Sequence, residues 1–566
     1  MRPALCRSLA APVSLLTTST LDIIPIGGAG QFGMNCTLLV AEDASLLVDA
    51  GLRFPTGEKW GIDALVPDIA GALAQGSEPA AIVLTHGHED HIGAVPTIAG
   101  DLTCPIYGSD LTLSLLAPKL REHAPGAIPR LVRVRARDRI QAGPFTIEFV
   151  HVTHSVPGSF ALAIDTPAGR IVHSADFKLD PTPVDGRPTD IDRLAELGRE
   201  GVRVLLMDST NAEREGVTPS ERSIAAPAGR LVDNARGRVF VTTFSSHIHR
   251  IQQFVDIAAR CGRKVAFAGR RMQASVQAAR ETGDLRFPPE SAATIEEVME
   301  IEPRRGLVVA GGSQGEPLSA MTRIAAGRHP DARLAPDDLV VHSARAVPGN
   351  EVPIGRVFDD IARRRAAMVG GEGAGVHVSG HGSADDLRTL LALLRPGIVV
   401  PIHGAFRHLA AAARIAESAA AGPREVLIVE NGAIIRIDGA GVRIAGSMDA
   451  RPIFLDRTYG RVGEEALRER RRLGTDGLVL PIVVLDRSTG GFLSGPELVL
   501  SGFSSGGGAK DLLEDGARLL ARRLRDTVAP DASEDALAAA AKEEVKRYFK
   551  RRTGKRPLVA PIIVRI

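Results

Sequence analysis

The chain of 566 residues is 44% hydrophobic and 24% charged with a net charge of +2, which excludes the disordered and collagen-like classes and reads as a soluble, multidomain globular protein. No apolar run reaches the roughly 20 residues of a membrane span, and so small a net charge neither favours nor excludes a polyanionic partner. Cys6, Cys36, Cys104 and Cys261 are far apart and lack C-x-x-C spacing, which speaks against a disulfide framework and for a reducing compartment.

Residues 1–20, "MRPALCRSLAAPVSLLTTST", have the outline of a signal peptide, but Arg7 interrupts the apolar part and no clean cleavage site follows. A disordered extension is expected there. The next stretch, "IIPIGGAGQFGMN", satisfies G-x-G-x-x-G at Gly28-Ala29-Gly30-Gln31-Phe32-Gly33, with Asp49 about where a ribose-binding acid would fall. A dinucleotide site needs a helix after that loop to hold the pyrophosphate. Here "CTLLVAEDASLLVDAG" follows instead, two short apolar runs around a turn, which is a hairpin pattern. The glycine loop therefore reads as a tight connection in a sheet-rich domain.

Further on, apolar runs end repeatedly in polar residues. "AAIVLT" runs into "HGHEDH", "FTIEFVHVTH" alternates apolar Phe145, Ile147 and Phe149 with Thr146 and Glu148 before ending at His154, "RIVHSAD" ends at Asp176, "VRVLLMD" at Asp208 and "GIVVPIH" at His403. Rigid strands that deliver polar side chains at their exits are how scaffolds present chemistry. The first domain is read as 21–213, interrupted by 214–370, where strands and helices alternate as a separate α/β unit, and resumed over 371–440. "SADDLRTLLALLRP" predicts a helix capped by Ser383, with Asp386 three residues on and Pro396 beyond its end. A linker is expected over 441–460 and a small α+β domain over 461–566, with a strand pair, two helical stretches and a final strand.

The densest chemistry is "THGHEDH", which places His86, His88, Asp90 and His91 on one loop. A lone histidine is usually a packed or surface residue, but here that reading would have to hold several times over. Neutral imidazoles and carboxylates converging from a rigid base are what a metal needs. A loop leaving a buried strand can turn His86 and His88 one way and Asp90 and His91 the other, which suits two metals about 3.5–4 Å apart.

The pattern H-x-H-x-D-H resembles the metallo-β-lactamase superfamily. The resemblance implies an α/β fold of the αββα sandwich type with a two-metal site at one edge. The further motifs of that superfamily match Asp49, His154, Asp176 and His403, in order. It implies that His86, His88 and His154 hold one ion, that Asp90, His91 and His403 hold the other, and that Asp176 bridges them. Asp49 either orients a ligand from behind or is a strand-end turn residue. Two divalent ions are implied, zinc by family habit, with manganese compatible with ligation by nitrogen and oxygen alone. Such a pair lowers the pKa of a bound water and stabilises charge on a substrate oxygen, which suits hydrolysis of a lactam, a thioester or a phosphodiester.

The interruption narrows the substrate. "LLMDSTNAEREGVTPSE", with Asp208, and "HVSGHGS", with His381, are similar to motifs of the β-CASP group, whose members act on nucleic acids. Together with "GGAGQFGMN", "HSVPGS", "IHRIQQ", "GSQGEP", "VPGNE" and "LSGP", they resemble the ribonuclease J family over nearly the whole chain. The resemblance implies an inserted α/β β-CASP domain and 5′-to-3′ exonuclease action on 5′-monophosphorylated RNA, with some endonuclease cleavage. It further implies a C-terminal domain that supports a dimer or tetramer, work in the cytoplasm beside other RNA-decay proteins, and no membrane. In this reading His381 protonates the leaving 3′-oxygen, Asp208 holds its imidazole, and His377, Val378, Ser379, Gly380 and His381 cradle phosphate. Ser245, Ser246 and His249 either contact RNA or, for the serines, cap a helix. His151, His173 and His408 read as packing residues or as supports behind ligands, and not as ligands themselves. Of the basic runs at 363–365, 468–472 and 546–556, only the first is a candidate RNA contact.

Several positions depart from the family pattern: Gln31 for Glu, Gly158 for Asp, Ala175 for Gly, Ala405 for Glu, and "SSHIH" where Ser-Asn is commoner. None removes an implied ligand. Two other enzyme readings stay open, a β-CASP endonuclease of the RNA 3′-processing type and a DNA-directed relative. A silent RNA-binding scaffold is the reading from outside the enzymes.

Overall fold

The computed structural model describes residues 20–55, 60–73, 78–371, 373–420, 422–456, 460–502, 509–527 and 532–566. The expected N-terminal extension, apart from its last residue Thr20, lies outside them. The chain divides into two compact units: one runs to Phe54 and resumes over Leu65–Ile453, the other is Pro55–Ala64 with Phe454–Ile566.

In the first unit two mixed sheets face each other. The eight-stranded sheet has the order Gly441–Ser447, Ala433–Asp438, Leu21–Gly27, Cys36–Ala41, Ala44–Val48, Pro79–Val83, Ile106–Gly108, Leu131–Arg133. The seven-stranded sheet runs Glu425–Val426, Ile398–Ile402, Val204–Asp208, Gly169–His173, Phe160–Thr166, Phe145–His151, Arg139–Ala142. Because side chains alternate along a strand, the central strands of the second sheet serve two cores. Ile147, Phe149, Leu162 and Leu206 face inward onto Leu39, Leu46, Val48 and Val83. Val150, Val172, Leu205 and Met207 face outward onto Leu194, Leu387, Leu391 and Ile415, from the helices Ile191–Glu200, Ala384–Leu394 and Phe406–Ser418. This is the expected αββα sandwich.

The expected hairpin is present. Cys36–Ala41 pairs antiparallel with Ala44–Val48 across Glu42 and Asp43. No helix follows the glycine loop: Gly28, Gly30 and Gly33 have φ of 86°, 83° and 74°, and Ala29–Gly30 pairs with Gly404–Ala405 beside His403.

Inside this unit sits a five-stranded, all-parallel sheet in the order Lys264–Ala268, Gly306–Ala310, Val239–Thr242, Leu339–His342, Ala367–Gly370. Its strands read as continuous apolar runs because helices cover both faces. Val241, Leu307 and Val341 meet Ile251, Phe254 and Val276 on one side. Phe240, Val308 and Val340 meet Met321, Ile324 and Val357 on the other. The helix Ile248–Arg260 is capped by His247, whose ring accepts from the Arg250 N–H. The serines at 245 and 246 therefore do not serve as its cap.

One boundary differs from the sequence reading. Residues 441–447 were expected in a linker, but Val442-Arg443-Ile444 alternate and the two-residue turn after Asp438 lets them pair back on Ala433–Asp438 as an edge strand. In the second unit Leu478–Leu485 pairs with Phe492–Ser501, Leu558–Val559 and Ile562–Arg565. The helices Ala509–Thr527 and Glu534–Thr553 bury Leu520, Leu524, Val545 and Phe549 against Val479 and Val483. Residues 60–64 join this unit, where Gly474 leaves room for the Trp60 ring: a Cβ there would fall 1.8 Å from it. Among the described residues no helix is long and apolar enough to cross a membrane.

Candidate metal centre

The strands of both sheets end at one edge of the sandwich, and their exits carry the titratable side chains. Pro79–Val83 leads into Thr85 and His86, and His88 precedes the short helix Glu89–Ile92. Asp49, Ala175 and His403 each end a strand in the left-handed region, with φ of 59°, 53° and 55°. For residues other than glycine this costs about 1–2 kcal/mol apiece, and such strain gathers where side chains must be aimed. Ala175 occupies the place where the family pattern has glycine, and its N–H donates to His173 Nδ1 at 3.0 Å.

Three groups of side chains each offer donor atoms lying within 4.8 Å of one another: His86, His88, His154 and Asp176; Asp90, His91 and His403; and Asp176, Asp208, His381 and His403. All seven implied ligands thus meet in one place. His86 Nε2 lies 3.0 Å and His154 Nε2 3.2 Å from His88 Nδ1. Asp176 Oδ2 stands 3.5 Å from His86 Nε2, 3.7 Å from His154 Nε2 and 3.2 Å from His91 Nε2. Asp90 Oδ2 lies 3.4 Å from His403 Nε2.

The protonation pattern fits cations at this point. His154 Nδ1 donates to the Gly380 carbonyl at 2.8 Å, which leaves Nε2 with its lone pair. Thr85 Oγ1 donates to Asp49 and so accepts from His86 Nδ1, which leaves His86 Nε2 in the same state. Two lone-pair nitrogens therefore converge on one His88 nitrogen, where a single proton cannot serve both and a metal ion can. Burial, reinforced by neighbouring imidazoles, holds His86 and His154 well below the usual histidine range. Burial brings His88 down to about 4 against the pull of Asp90 and Asp176. On the other side burial opposes charge on His91 and His403, but the carboxylates outweigh it. Asp176 and Asp49 raise His91, and Asp176 and Asp90 push His403 up to about 10. The acids thus favour positive charge there.

Asp49 stands behind the site, not on a ribose. Its Oδ1 accepts from the Thr85 N–H at 2.8 Å, and its Oδ2 lies 2.7 Å from His91 Nδ1, which turns Nε2 of that ring toward Asp176. His381 Nδ1 lies 2.8 Å from Asp208 Oδ2, and its Nε2 is 3.9 Å from Asp176 Oδ2. Burial opposes the charged form of His381, and Asp208 with Asp176 prevails, raising its pKa. His381 is also one of the few groups of the cluster that solvent reaches, with 18% of its side chain exposed against 2% for Asp208.

The proposed phosphate cradle is tied to its surroundings. Ser379 Oγ accepts from Asn211 Nδ2 at 2.8 Å, and the same amide donates to the His381 carbonyl at 2.9 Å. The Val378 carbonyl accepts from Arg250 Nη2 at 3.1 Å, and His377 Nδ1 is 3.2 Å from Arg250 Nη1. Ser245 and Ser246 are half-buried, but His249 is buried, with its Nδ1 3.2 Å from the His154 carbonyl. A direct RNA contact from His249 is therefore not what the fold offers, because its ring faces the loop instead of solvent. In the basic run at 363–365, Arg364 Nη2 donates to the Ala326 carbonyl at 2.8 Å and Arg363 pairs with Asp360. That leaves less free charge for RNA than the sequence suggests. The packing histidines behave as expected: His408 lies edge-on to Phe32, and His151 Nε2 meets the Arg187 carbonyl.

Sequence reasoning gave no role to Asn35, whose Nδ2 lies 3.0 Å from His91 Nε2 and 3.3 Å from Asp90 Oδ2. Its only signal was its place at the end of the glycine loop. It also missed the steric role of Gly380, where a Cβ would fall 2.7 Å from His154 Cε1. Gly380→Ala is expected to displace that ring and lower metal affinity by about 10–100-fold, the usual cost of disturbing a ligand's support. Titration of the folded variant with zinc measures it.

Fold and site together define a metal-dependent hydrolase of the metallo-β-lactamase superfamily with a β-CASP insertion. Comparison with known proteins agrees. Residues 29–210 match the family described as "Metallo-beta-lactamase superfamily", 236–361 "Ribonuclease J, beta-CASP domain", 374–428 "Zn-dependent metallo-hydrolase RNA specificity domain" and 465–566 "Ribonuclease J C-terminal domain". Ribonuclease J of Thermus thermophilus is 38% identical over 96% of this chain and 95% of its own length. Ribonuclease J of Mycolicibacterium smegmatis is 36% identical over 98% and 99%, and ribonuclease J2 of Bacillus subtilis 32% identical over 97% and 99%. A crystal structure of a protein of unknown function from Enterococcus faecalis shares the fold, with a TM-score of 0.52 and 18% identity over 75% of this chain and 100% of that one. The chain belongs to the ribonuclease J family. It is a metal-dependent ribonuclease.

Proposed function

We propose that the protein degrades RNA from 5′-monophosphorylated ends in the 5′-to-3′ direction, with some internal cleavage, in cytoplasmic RNA processing and decay. The observation that carries this reading is Asp176, which stands within reach of both donor groups and of His381. His86, His88 and His154 would hold one divalent ion and Asp90, His91 and His403 the other, with Asp176 in reach of both groups. Zinc suits the donor set, and manganese is compatible with it. When bound, the ions supply polarisation of a phosphoryl oxygen and a water of lowered pKa.

The chain's own residues do the rest. Asp49 and the Gly380 carbonyl fix the His91 and His154 rings through their Nδ1 atoms, and a carboxylate or carbonyl in that place sets both tautomer and orientation. His381 gives the proton on Nε2 to the departing 3′-oxygen while Asp208 holds Nδ1. Residues 377–381, tethered through Asn211, form a close-approach surface for phosphate beside that imidazole, and Ser245 and Ser246 contact RNA from the inserted domain. Residues 461–566 join copies of the chain into a dimer or tetramer.

The test uses RNAs that differ only at the 5′ end and carry a 3′ label. Mononucleotides should appear first and fastest from the 5′-monophosphate. Chelator should abolish them, and zinc or manganese should restore them. Internal fragments as the sole products would favour an endonuclease, and undiminished decay after removal of divalent ions would overturn the reading.

A further inference from the structure

Adjacent residues at the start of the helix Ile248–Arg260 reach two different walls of the site. Arg250 holds the backbone leading to His381. His249 does something separate, and the reaction as described leaves it without a role. Its ring belongs to the inserted domain and is only 6% exposed. Nδ1 lies 3.2 Å from the carbonyl oxygen of His154. Nε2 is buried with no hydrogen-bond partner, and the closest acid, Asp185 Oδ2, is 3.6 Å away. Asp185 in turn belongs to a loop whose Arg187 reaches Asp284 of the inserted domain at 3.0 Å.

His154 is thus gripped twice from beyond its own strand. Gly380 fixes its ring and His249 fixes its main chain. A ring held only by its side chain can still swing with its backbone, and a buried carbonyl left unpaired is unfavourable. The geometry points to His249 as a positioning residue. Its Nδ1–H donates to the His154 carbonyl, so that the inserted domain, once docked, sets the aim of a metal ligand in the other domain. This rests on the reading of His154 as a ligand.

Two substitutions separate this from general packing. In His249→Asn the amide N–H stands where Nδ1–H stood. In His249→Gln it stands near the place of Nε2 instead. Both side chains are polar and similar in size. His249→Asn should keep kcat within about threefold of wild type. His249→Gln should lose about 10–100-fold in kcat, the range for removing a ligand's support, with KM for RNA unchanged. The visible spectrum of the cobalt-loaded protein should match wild type for Asn and differ for Gln. Equal behaviour of the two variants overturns the inference, as does a raised KM with kcat intact, which would mark a direct RNA contact. If wild type takes up two cobalt ions and Gln retains its spectrum, only this inference fails. If wild type takes up none, the metal-centre reading fails, and this one with it.

Discussion

His381→Ala is expected to lower kcat by about 10²–10⁴-fold, the usual worth of a positioned general acid, while zinc content and KM for RNA stay near wild type. The geometry separates the two readouts. His381 Nε2 lies 3.9 Å from Asp176, and its Nδ1 is taken by Asp208 at 2.8 Å. Neither group of donors built on His88 or on His91 includes it. In the proposed mechanism its removal therefore takes away a proton donor and leaves both of those donor groups complete. Asp208→Asn should act in the same direction but less, because the imidazole remains and loses only the acceptor that raises its pKa. Single-turnover cleavage with metal analysis on the same preparations checks this. Loss of metal from His381→Ala would reassign it as a ligand.

The second large effect is structural. Arg250 is completely buried and its guanidinium meets Glu221, itself 2% exposed, with Nη2 3.0 Å from Oε2. Nη1 donates to the Ser343 carbonyl at 3.0 Å and Nη2 to the Val378 carbonyl at 3.1 Å. Lys178, lowered in pKa by burial against the pull of Glu221 and Asp180, lies beside them. Removing one partner of a buried pair leaves a charge without compensation, at about 3–5 kcal/mol. Arg250→Met should therefore lower the melting temperature sharply. Glu221→Leu combined with Arg250→Met should recover part of the loss, since no buried charge of that pair is then stranded. Thermal melts of both variants and of Glu221→Leu close the cycle. A double variant no better than Arg250→Met would show that the carbonyls at 343 and 378, not the charge, dominate.

How much of this could be read beforehand depended on the range of the interaction. Most candidate site residues were legible because they follow an apolar run, and a strand exit is a local pattern: His154 after "FTIEFVHV" and Asp208 after "VRVLLM" needed no partner in view. The glycine loop was placed correctly by what followed it, a hairpin where a dinucleotide site demands a helix. Asp49 was left between two roles, because only its 2.7 Å approach to His91 distinguishes an orienting acid from a turn residue. His249 was read as a candidate RNA contact for the same reason. A histidine near a helix start looks available to substrate until the fold brings the His154 carbonyl against it. Arg250 and Glu221 carried no sign of burial, since two charged residues normally predict surface. The edge strand at 441–447 was missed because its exposed alternation looks like a polar connector.

One arrangement has a meaning for how the enzyme is made. The donors begin at His86 and end at His403, with the whole parallel sheet threaded between Asp208 and His381. A polypeptide still emerging from the ribosome lacks its last ligand until most of its length has been synthesised.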